Sequence, residues 1–431
     1  MRLTRPAETP ALDPAETDLA DPRLYATGDP HAIWLTMREH APVLRQTLAD
    51  GRSFWSVVRY HDVNDVLRDH TRFTSERGTL LSTLAVDDPA GGKMMAASDP
   101  PRHTALREPL SRAMSMRAMR RWEPRIRQMV LRLLAPLAEG TPWDLAEAAA
   151  SFPMAFTGTL MGLPEPDWPR LTRLTSMAVA PTDSEFQEGR GTLVAAHHEL
   201  FEYFADHLRA TAGTADDSLV GFLRGMEIEG RRLRQDEIVY NCYSLLLGAN
   251  VTTPHAIAGT VLAFIEEAGQ YARLTADPAL LTRAVEEGLR WSSPANHFMR
   301  YTRRETELSG VRIPAGEAVV AWLGSANRDR RVFAEPFAFD VGRSPNRHVA
   351  FGFGPHYCVG APLARVALRI LFEEIIANVG QFEQAGPVEH LASNFVAGIK
   401  HLPVTARLLD GAAERLGAAH AAGGPLPEAV L

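Results

Sequence analysis

Apolar residues recur every three or four positions along most of the chain, which is the spacing of amphipathic helices. Segments with this spacing are 31–41, 117–140, 167–178, 193–213, 236–270, 278–291 and 361–379. Short apolar runs typical of strands are fewer and lie at 43–48, 53–60, 304–314, 317–323 and, as a pair, near 395–409. The pattern therefore predicts a mainly α fold with small antiparallel β-sheets.

The longest helical segment should cross the whole domain. From an N-cap at Asp236 to a stop at Gly269 it would hold about 33 residues, or roughly 50 Å of helix. Its middle is apolar on most sides but includes Pro254, which cannot donate a hydrogen bond to the carbonyl of Asn250. We expect the helix to open here. A plain kink would suffice, but the small and hydroxyl residues beside the proline favour a functional break.

No internal repeat or low-complexity linker divides the chain. Residues 1–20 are rich in Pro, Ala and acids, and residues 411–431 in Ala, Gly and Pro, so both are expected to be flexible tails of one domain at 21–410. The 45 Lys and Arg against 52 Asp and Glu give a net charge of -7, which argues against nucleic-acid binding. Without an apolar leader or an 18-residue apolar span, the protein is expected in the cytoplasm and off the membrane.

The chain has two cysteines in very different settings. They are far apart and lack a CxxC or paired-histidine motif, which argues against a disulfide framework and a structural zinc site. Cys242 lies on an apolar helix and fits a small hydrophobe. Cys358 lies in the run 351–365, FGFGPHYCVGAPLAR, just before a helix with Pro362 in its first turn. A helix N-terminus stabilises a thiolate, the form of cysteine that ligates metals.

Other interpretations of this run fit less well. Gly352 and Gly354 are followed by Tyr357 where a Rossmann nucleotide site needs a third glycine. A cysteine protease would need a histidine base, and His356 has no reason to point at Cys358.

The run instead matches FGxGxHxCxGxxLAR, the haem-thiolate signature of cytochromes P450, at every fixed position. The resemblance continues through 99–107, the central helix, 286–290, 295–304, 324–352 and 393–404. It implies the cytochrome P450 fold of a soluble bacterial member, a single domain with the long central helix above haem b. Cys358 would be the proximal ligand of the iron.

The resemblance also implies the surroundings of the haem. His103, Arg107, Arg300 and His356 resemble the family's propionate binders, which are paired donors around two carboxylates. The other cofactor-binding residues are Phe351, from the aromatic wall beside the cysteine, and Ala249, at the usual glycine of the distal helix.

A structural pair belongs to the same resemblance. Glu287 and Arg290 look like the family's ExxR pair and are expected to be locked to Arg343, holding the core rather than taking part in catalysis.

The distal motif departs from the family's small-Gly-x-acid-Thr-Thr. Thr252 supplies the usual hydroxyl and Thr253 follows it, but Val251 stands where the acid belongs. In the family the threonine orders water and the acid connects that water to solvent protons. Protons would then reach the site through Asn250, the substrate or a water chain at the opened backbone. Alternatively, the enzyme carries out a reaction that depends less on ordinary proton delivery. Thr252, Thr253 and Asn250 are the catalytic candidates, although Asn250 fits a packing role equally well.

No flavin or ferredoxin segment is present, so the resemblance implies a separate ferredoxin and ferredoxin reductase as electron donors. The expected docking face for an acidic ferredoxin is a basic cluster near Arg347. Its members, on one predicted helix, are Arg102, Arg107, Arg112, Arg117, Arg120 and Arg121.

The family's variable segments would line the substrate pocket, here 78–97, 178–190, the central helix, 295–299 and the turn near Phe395. Their residues indicate a medium-to-large, largely apolar small molecule, free or on a carrier protein, with Asn296 and His297 as polar anchors. The implied reaction is hydroxylation or epoxidation by one atom of O2. The alternatives are peroxide-driven chemistry, ring closure, coupling or desaturation, and a non-catalytic partner protein, which the presence of Cys358 disfavours.

Overall fold

Helices dominate the structure, as the periodicity predicts. The computed structural model describes residues 13–421, apart from 15 and 215. In chain order its helices are α1 (Arg23–Ala26), α2 (Pro30–His40), α3 (Tyr60–Arg68), α4 (Arg102–Ala113), α5 (Met116–Met119), α6 (Glu123–Leu134), α7 (Leu145–Met161), α8 (Trp168–Val179), α9 (Thr192–Ala210), α10 (Leu219–Gly225), α11 (Gln235–Asn250), α12 (Thr253–Glu266), α13 (Ala268–Ala276), α14 (Leu281–Ser292), α15 (Leu323–Ala326), α16 (Ala361–Asn378) and α17 (Ala412–Ala421). The predicted helix 117–140 is divided, because Pro124 fits the first turn of α6 but not the interior of a longer helix.

The strands are short and form small sheets. They are β1 (Val43–Thr47), β2 (Ser53–Val57), β3 (Phe73–Thr74), β4 (Trp143–Asp144), β5 (Glu227–Ile228), β6 (Arg231–Arg232), β7 (His297–Thr302), β8 (Thr306–Leu308), β9 (Val311–Ile313), β10 (Ala318–Trp322), β11 (Val379–Gln384), β12 (Glu389–His390), β13 (Ile399–His401) and β14 (Pro403–Leu408). The largest sheet has the order β1-β2-β10-β7-β3, antiparallel except between β2 and β10. Sequence patterning misses β7 because His297 and Arg300 interrupt its apolar residues, although both side chains are buried.

The central helix is interrupted where Pro254 predicts it. α11 ends at Asn250 and α12 begins at Thr253, with Pro254 in its first turn. The helix starts at Gln235 rather than after an Asp236 cap, since the Glu237 carboxylate accepts a hydrogen bond from the N–H of Arg234 at 2.7 Å. It ends at Glu266, before the predicted stop at Gly269.

Among the described residues, Gln235–Glu266 is the one stretch of helix whose length and composition would let it cross a membrane. About two thirds of its most apolar window is buried in the protein, as in a core helix. Its second half lies directly on α14, where a Cβ at Gly288 would come within 2.3 Å of the Thr260 hydroxyl. Only glycine allows this approach.

Both predicted tails need correction. Residues 1–12 and 422–431 lie outside the described residues. Near the start, Leu19 is fully buried and its carbonyl accepts a hydrogen bond from the Tyr25 hydroxyl at 2.8 Å. Near the end, the alanine-rich segment forms α17, because Ala412 and Leu416 share one face and are fully buried. The domain therefore extends beyond 21–410 on both sides.

Candidate haem site

The loop of Cys358 is shaped by two glycines. Gly352 and Gly354 have φ of +73° and +72°, the left-handed region that glycine enters without strain. A Cβ at Gly354 would also lie 2.7 Å from the backbone of Arg68 on α3. The N–H of Cys358 donates to the carbonyl of Phe351 at 2.8 Å. This path brings the thiol to the N-terminus of α16, as the sequence predicts.

Opposing effects act on the Cys358 thiol. Burial raises its pKa, while the backbone N–H groups of Gly360 and Ala361 and the guanidinium of Arg107 favour the thiolate. In the protein alone burial has the larger effect, so the helix terminus lowers the pKa less than the sequence interpretation assumed. A bound metal cation would reverse this balance, because coordination deprotonates a thiol.

The four predicted propionate binders come together from three parts of the chain. His103 and Arg107 are one turn apart on α4, Arg300 is on β7, and His356 lies just before Cys358. The ring centroids of His103 and His356 are 4.2 Å apart. Burial, together with Arg107, lowers the pKa of His103 to about 4, and burial lowers that of Arg300 to about 10.

This cluster has donors without acceptors. Both ring nitrogens of buried His103 lack a hydrogen-bond partner in the part of the chain that the structure describes. Among the described residues Arg107 has no acidic partner, and Arg300 donates only to a backbone carbonyl, at 2.8 Å. Asp99, the acid that acts on Arg300, is already paired with Arg303. Because unpaired buried donors are costly, the cluster fits a ligand that brings two carboxylates, as haem b does.

Open space adjoins the central helix just before its break. Gly248 is exposed and Ala249 partly exposed, and nothing lies within 4 Å of a Cβ placed on Gly248. The hydroxyl of Thr252 donates to the carbonyl of Gly248 at 3.2 Å, and Thr253 is buried as the first residue of α12. Thr252 is thus the hydroxyl placed next to this open space, whereas Thr253 is buried.

The residue in the acid position is in an apolar contact. Val251 is 5% exposed and packs in a cluster with Val179, Ala180, Leu391 and Val396. The neighbouring Asn250 is buried, and its Nδ2 donates to the carbonyl of Leu246 at 2.8 Å. Its Oδ1 has no partner among the described residues and could hold a water. The protein offers no acid at this point of α11.

The predicted Glu287, Arg290 and Arg343 contact is confirmed. Arg290 donates to both carboxylate oxygens of Glu287 at 2.8 Å, and Arg343 Nε donates at 3.0 Å. Glu287 and Arg290 are fully buried, so the contact joins α14 to the segment that leads to the cysteine loop.

Sequence reasoning missed the neighbouring acid. Glu286 accepts bidentate hydrogen bonds from Arg365 at 2.7 and 2.8 Å and a third from His348 at 3.1 Å. Arg365 also donates to the Tyr357 hydroxyl at 2.8 Å and covers the Phe351 ring, 4.6 Å from its centroid. The sequence feature that could have indicated this second contact is the pair of adjacent glutamates at 286–287. Phe351 therefore packs beneath Arg365 at the base of the cysteine loop.

The two predicted polar anchors for substrate need correction. Asn296 and His297 are fully buried, so neither side chain is accessible to a ligand in this structure. His297 is held by the N–H of Leu81 at 3.2 Å and by the carbonyl of Asn394 at 3.1 Å, so both ring nitrogens have structural partners. A buried strand can turn its polar residues into the protein, which sequence alone does not reveal.

Two partly exposed aromatic side chains lie close to these buried residues. Phe298 follows on β7, is half-buried, and lies 4.0 Å from a Cβ placed on Gly352 of the cysteine loop. Its ring centroid is 6.1 Å from that of Phe395.

The predicted basic face is smaller than expected. Arg102 is turned toward α11, where it pairs with Glu237, and Arg107 belongs to the donor cluster. The others lie on separate elements, because α4 ends at Ala113 and Ser115 caps α5. The arginines that remain exposed, without an ion pair among the described residues, are Arg112, Arg117, Arg120, Arg121 and Arg347. We call these five the proximal basic face, since Met114, at the end of α4, lies 4.0 Å from a Cβ placed on Gly360.

Comparison with known proteins agrees with this geometry. A family model described as Cytochrome P450 matches residues 145–383. Cytochrome P450 NovI of Streptomyces niveus is 34% identical over 404 residues, which cover 93% of this chain and 98% of that protein. Vitamin D(3) 25-hydroxylase of Pseudonocardia autotrophica is 34% identical over 384 residues, covering 88% and 94%. The solved structure of Mycobacterium marinum cytochrome P450 CYP268A2 in complex with pseudoionone has a TM-score of 0.84 and 29% identity, covering 93% and 100%.

The protein combines a mainly helical fold, the cysteine loop and a cluster of donors that fits two carboxylates. Together these features are those of a haem-thiolate oxidoreductase. The chain belongs to the cytochrome P450 family, whose enzymes are monooxygenases that carry haem b. When bound, the haem activates O2, and electron donation from the thiolate favours cleavage of the O–O bond.

Proposed function

We propose that this protein is a cytoplasmic monooxygenase that hydroxylates or epoxidises a medium-to-large, largely apolar small molecule, an intermediate of natural-product biosynthesis. The partly exposed apolar side chains of Leu247, Phe298 and Phe395 carry the proposal. Leu247 and Phe395 border the apolar cluster of Val251, and the ring centroid of Phe298 lies 6.1 Å from that of Phe395. Covering such apolar surface stabilises a complex by about 25 cal/mol per Å². The relatives named for vitamin D(3) and pseudoionone act on or bind molecules that are mostly hydrocarbon.

In this proposal Cys358 ligates the iron, and His103, Arg107, Arg300 and His356 hold the haem carboxylates. The Thr252 hydroxyl lies next to the open space before the helix break and orders water there, since it can release its 3.2 Å hydrogen bond to the Gly248 carbonyl. Val251 contributes no proton. A water held between Asn250 Oδ1 and the backbone carbonyl freed by Pro254 would replace the missing acid.

Substrate binding and product analysis test the proposal. The ferric holoenzyme would be titrated with terpenoids, steroids and macrolides, and the spin-state change of the haem followed by difference spectroscopy. A compound that shifts the spectrum would then be turned over under ¹⁸O2 with a ferredoxin and its reductase. We expect a product with one labelled oxygen atom. Polar ligands alone shifting the spectrum would refute the apolar pocket.

Val251 favours one second candidate, in which the same haem chemistry ends in ring closure, coupling or desaturation. The labelling experiment separates the two, because such products lose hydrogen without gaining ¹⁸O. The variant Val251→Asp adds a test of proton supply. If proton delivery limits the reaction, Val251→Asp should raise the amount of product formed per NADPH consumed. Val251→Asn, which adds no acid, should not.

Bacterial enzymes of this family generally take electrons from a ferredoxin and a reductase. We propose the proximal basic face as the docking site of an acidic ferredoxin. Arg112→Glu should raise the ferredoxin KM several-fold and flatten its salt dependence. The control Arg312→Glu makes the same charge change at an exposed arginine of β9. Equal effects of the two variants would contradict docking at this face.

A further inference from the structure

The segment 92–102 leads from α11, which its backbone contacts, to the donor cluster. It carries the buried Met94 and Met95, and it ends at the first residue of α4, next to His103. The segment closes on itself, because Gly92 N–H donates to the Ala97 carbonyl at 2.8 Å and Arg102 Nε donates to the Gly92 carbonyl at 3.3 Å. A displacement of this 92–102 loop therefore moves the turn of α4 that holds His103.

Asn241 of α11 holds the middle of the loop. Its Oδ1 accepts a hydrogen bond from Met95 N–H at 2.9 Å, and its Nδ2 donates to the carbonyls of Lys93 at 3.0 Å and Glu237 at 2.8 Å. The side chain is 1% exposed. One N–H and two carbonyl partners allow a single orientation of the amide. Asn241 thus fixes the backbone on both sides of Met94.

Glu237, one turn earlier on α11, holds the end of the loop. Its carboxylate, 1% exposed, accepts hydrogen bonds from Arg231 at 2.7 and 2.8 Å and from Arg102 at 2.5 Å. The Arg231 contact is the main reason that the pKa of Glu237 falls to about 2. The carboxylate is therefore charged at neutral pH, and it anchors the residue next to His103.

We propose that Glu237 and Asn241 are positioning residues that jointly set the seat of the haem carboxylates and the shape of the substrate cavity. Both act through the 92–102 loop, Asn241 on Lys93 and Met95 and Glu237 on Arg102. A bulky ligand that displaces Met94 or Met95 strains the hydrogen bonds of Asn241 to the loop. A displacement of His103 strains the contact between Arg102 and Glu237. The inference rests on the proposed function in two respects, the haem carboxylate held by His103 and the substrate placed beside α11.

Haem retention tests the part played by Glu237. The holoenzyme would be mixed with excess apomyoglobin and the rate of haem transfer measured for Glu237→Gln. The control Glu227→Gln makes the same substitution at an exposed carboxylate of β5, whose ion-pair partner Arg232, at 3.5 Å, lies outside the loop. We expect about tenfold faster haem loss in Glu237→Gln, from the loss of a charged hydrogen bond. The control should stay within about twofold, and Glu237→Asp, which keeps the charge, should recover part of the effect. Equal rates for Glu237→Gln and Glu227→Gln would overturn the proposal.

Two azoles test the part played by Asn241. Imidazole binds the ferric iron without reaching the loop, whereas miconazole fills the cavity. Asn241→Leu should weaken miconazole binding about tenfold and leave imidazole binding within about twofold, because the loop loses its hydrogen bonds. Equal weakening of both azoles, or of neither, would contradict a positioning role.

Hydrogen exchange gives a readout independent of the haem site. The Met95 amide should exchange faster in Asn241→Leu and keep its native rate in Glu227→Gln, and an unchanged rate in Asn241→Leu would count against the proposal. If Asn241→Leu does not fold, Asn241→Asp serves instead, since it keeps the acceptor for Met95 but loses the donor to Lys93. These measurements need no substrate, so their failure would leave the proposed function untouched, and a failed substrate screen would leave this inference untouched.

Discussion

Replacing Glu287 by glutamine should destabilise the holoenzyme by about 3–5 kcal/mol, the usual cost of breaking a buried ion pair from one side. The carboxylate accepts hydrogen bonds from Arg290 at 2.8 Å, Arg343 at 3.0 Å and Asn346 at 3.1 Å. Glutamine has nearly the same shape, but its NH2 group would face the N–H groups of these three residues and could not accept hydrogen bonds from them. It would also leave Arg290 and Arg343, whose side chains are 0% and 9% exposed, without their shared counter-ion.

The change in Tm follows from chain length. At about 2.1 cal/mol/K per residue, 431 residues give an unfolding entropy of about 0.9 kcal/mol/K, so the expected loss in Tm is about 3–6 °C. Differential scanning calorimetry of haem-saturated protein would measure it. The control Glu199→Gln breaks an exposed 2.7 Å pair with Arg170 and should cost less than about 1 kcal/mol. A Glu287→Gln variant that melts within about 1 °C of this control would refute the argument.

Three further predictions follow from other contacts. Burial alone would raise the pKa of Glu286, but hydrogen bonds from Arg365 and His348 lower it to about 2, below the ordinary value near 4.3. Its stabilising contribution, on the order of 3 kcal/mol, is present above about pH 4.3 and is lost as the pH falls toward 2. Denaturant unfolding at several acidic pH values should show this loss in wild type but not in Glu286→Gln, and parallel curves would disprove it. Lys400→Met should cost about 1–3 kcal/mol in thermal unfolding, because Lys400 pairs at 3.1 Å with Asp183, whose side chain is 2% exposed. Lys93→Met, which breaks a more exposed 3.3 Å pair with Asp236, is its control, and equal losses would contradict the prediction. Cys358→Ser should abolish the red-shifted Soret band of the reduced carbon monoxide complex, whereas Cys242→Ser should keep it, and a persistent band in Cys358→Ser would remove the ligand assignment.

Local chemistry made part of this molecule predictable. Pro254 lacks an N–H wherever it stands in a helix, so the break in the central helix followed from one residue. The path of the cysteine loop followed from its glycines, and the contact of Glu287 with Arg343 from the family's spacing.

Features that depend on distant partners were not predictable. In the sequence Arg102 cannot be distinguished from the other arginines of α4. Only the packing of α11 against α4 in the structure shows that Arg102 faces Glu237. β7 carries His297 and Arg300 inside the protein, against the alternation that identifies strands. Leu416 could be seen as a helix-face residue only once the surface that receives α17 was known.

The interruption at 251–252 has a mechanical consequence. The half of the central helix before it bears the contacts to the 92–102 loop, and the half after it lies on Gly288 of the same helix as Glu287 and Arg290. Because Pro254 removes a hydrogen bond between the two halves, a tilt of the first is not carried rigidly into the second. We therefore expect the first half and the 92–102 loop to shift with the size of a bound ligand, while the second half keeps its position on α14.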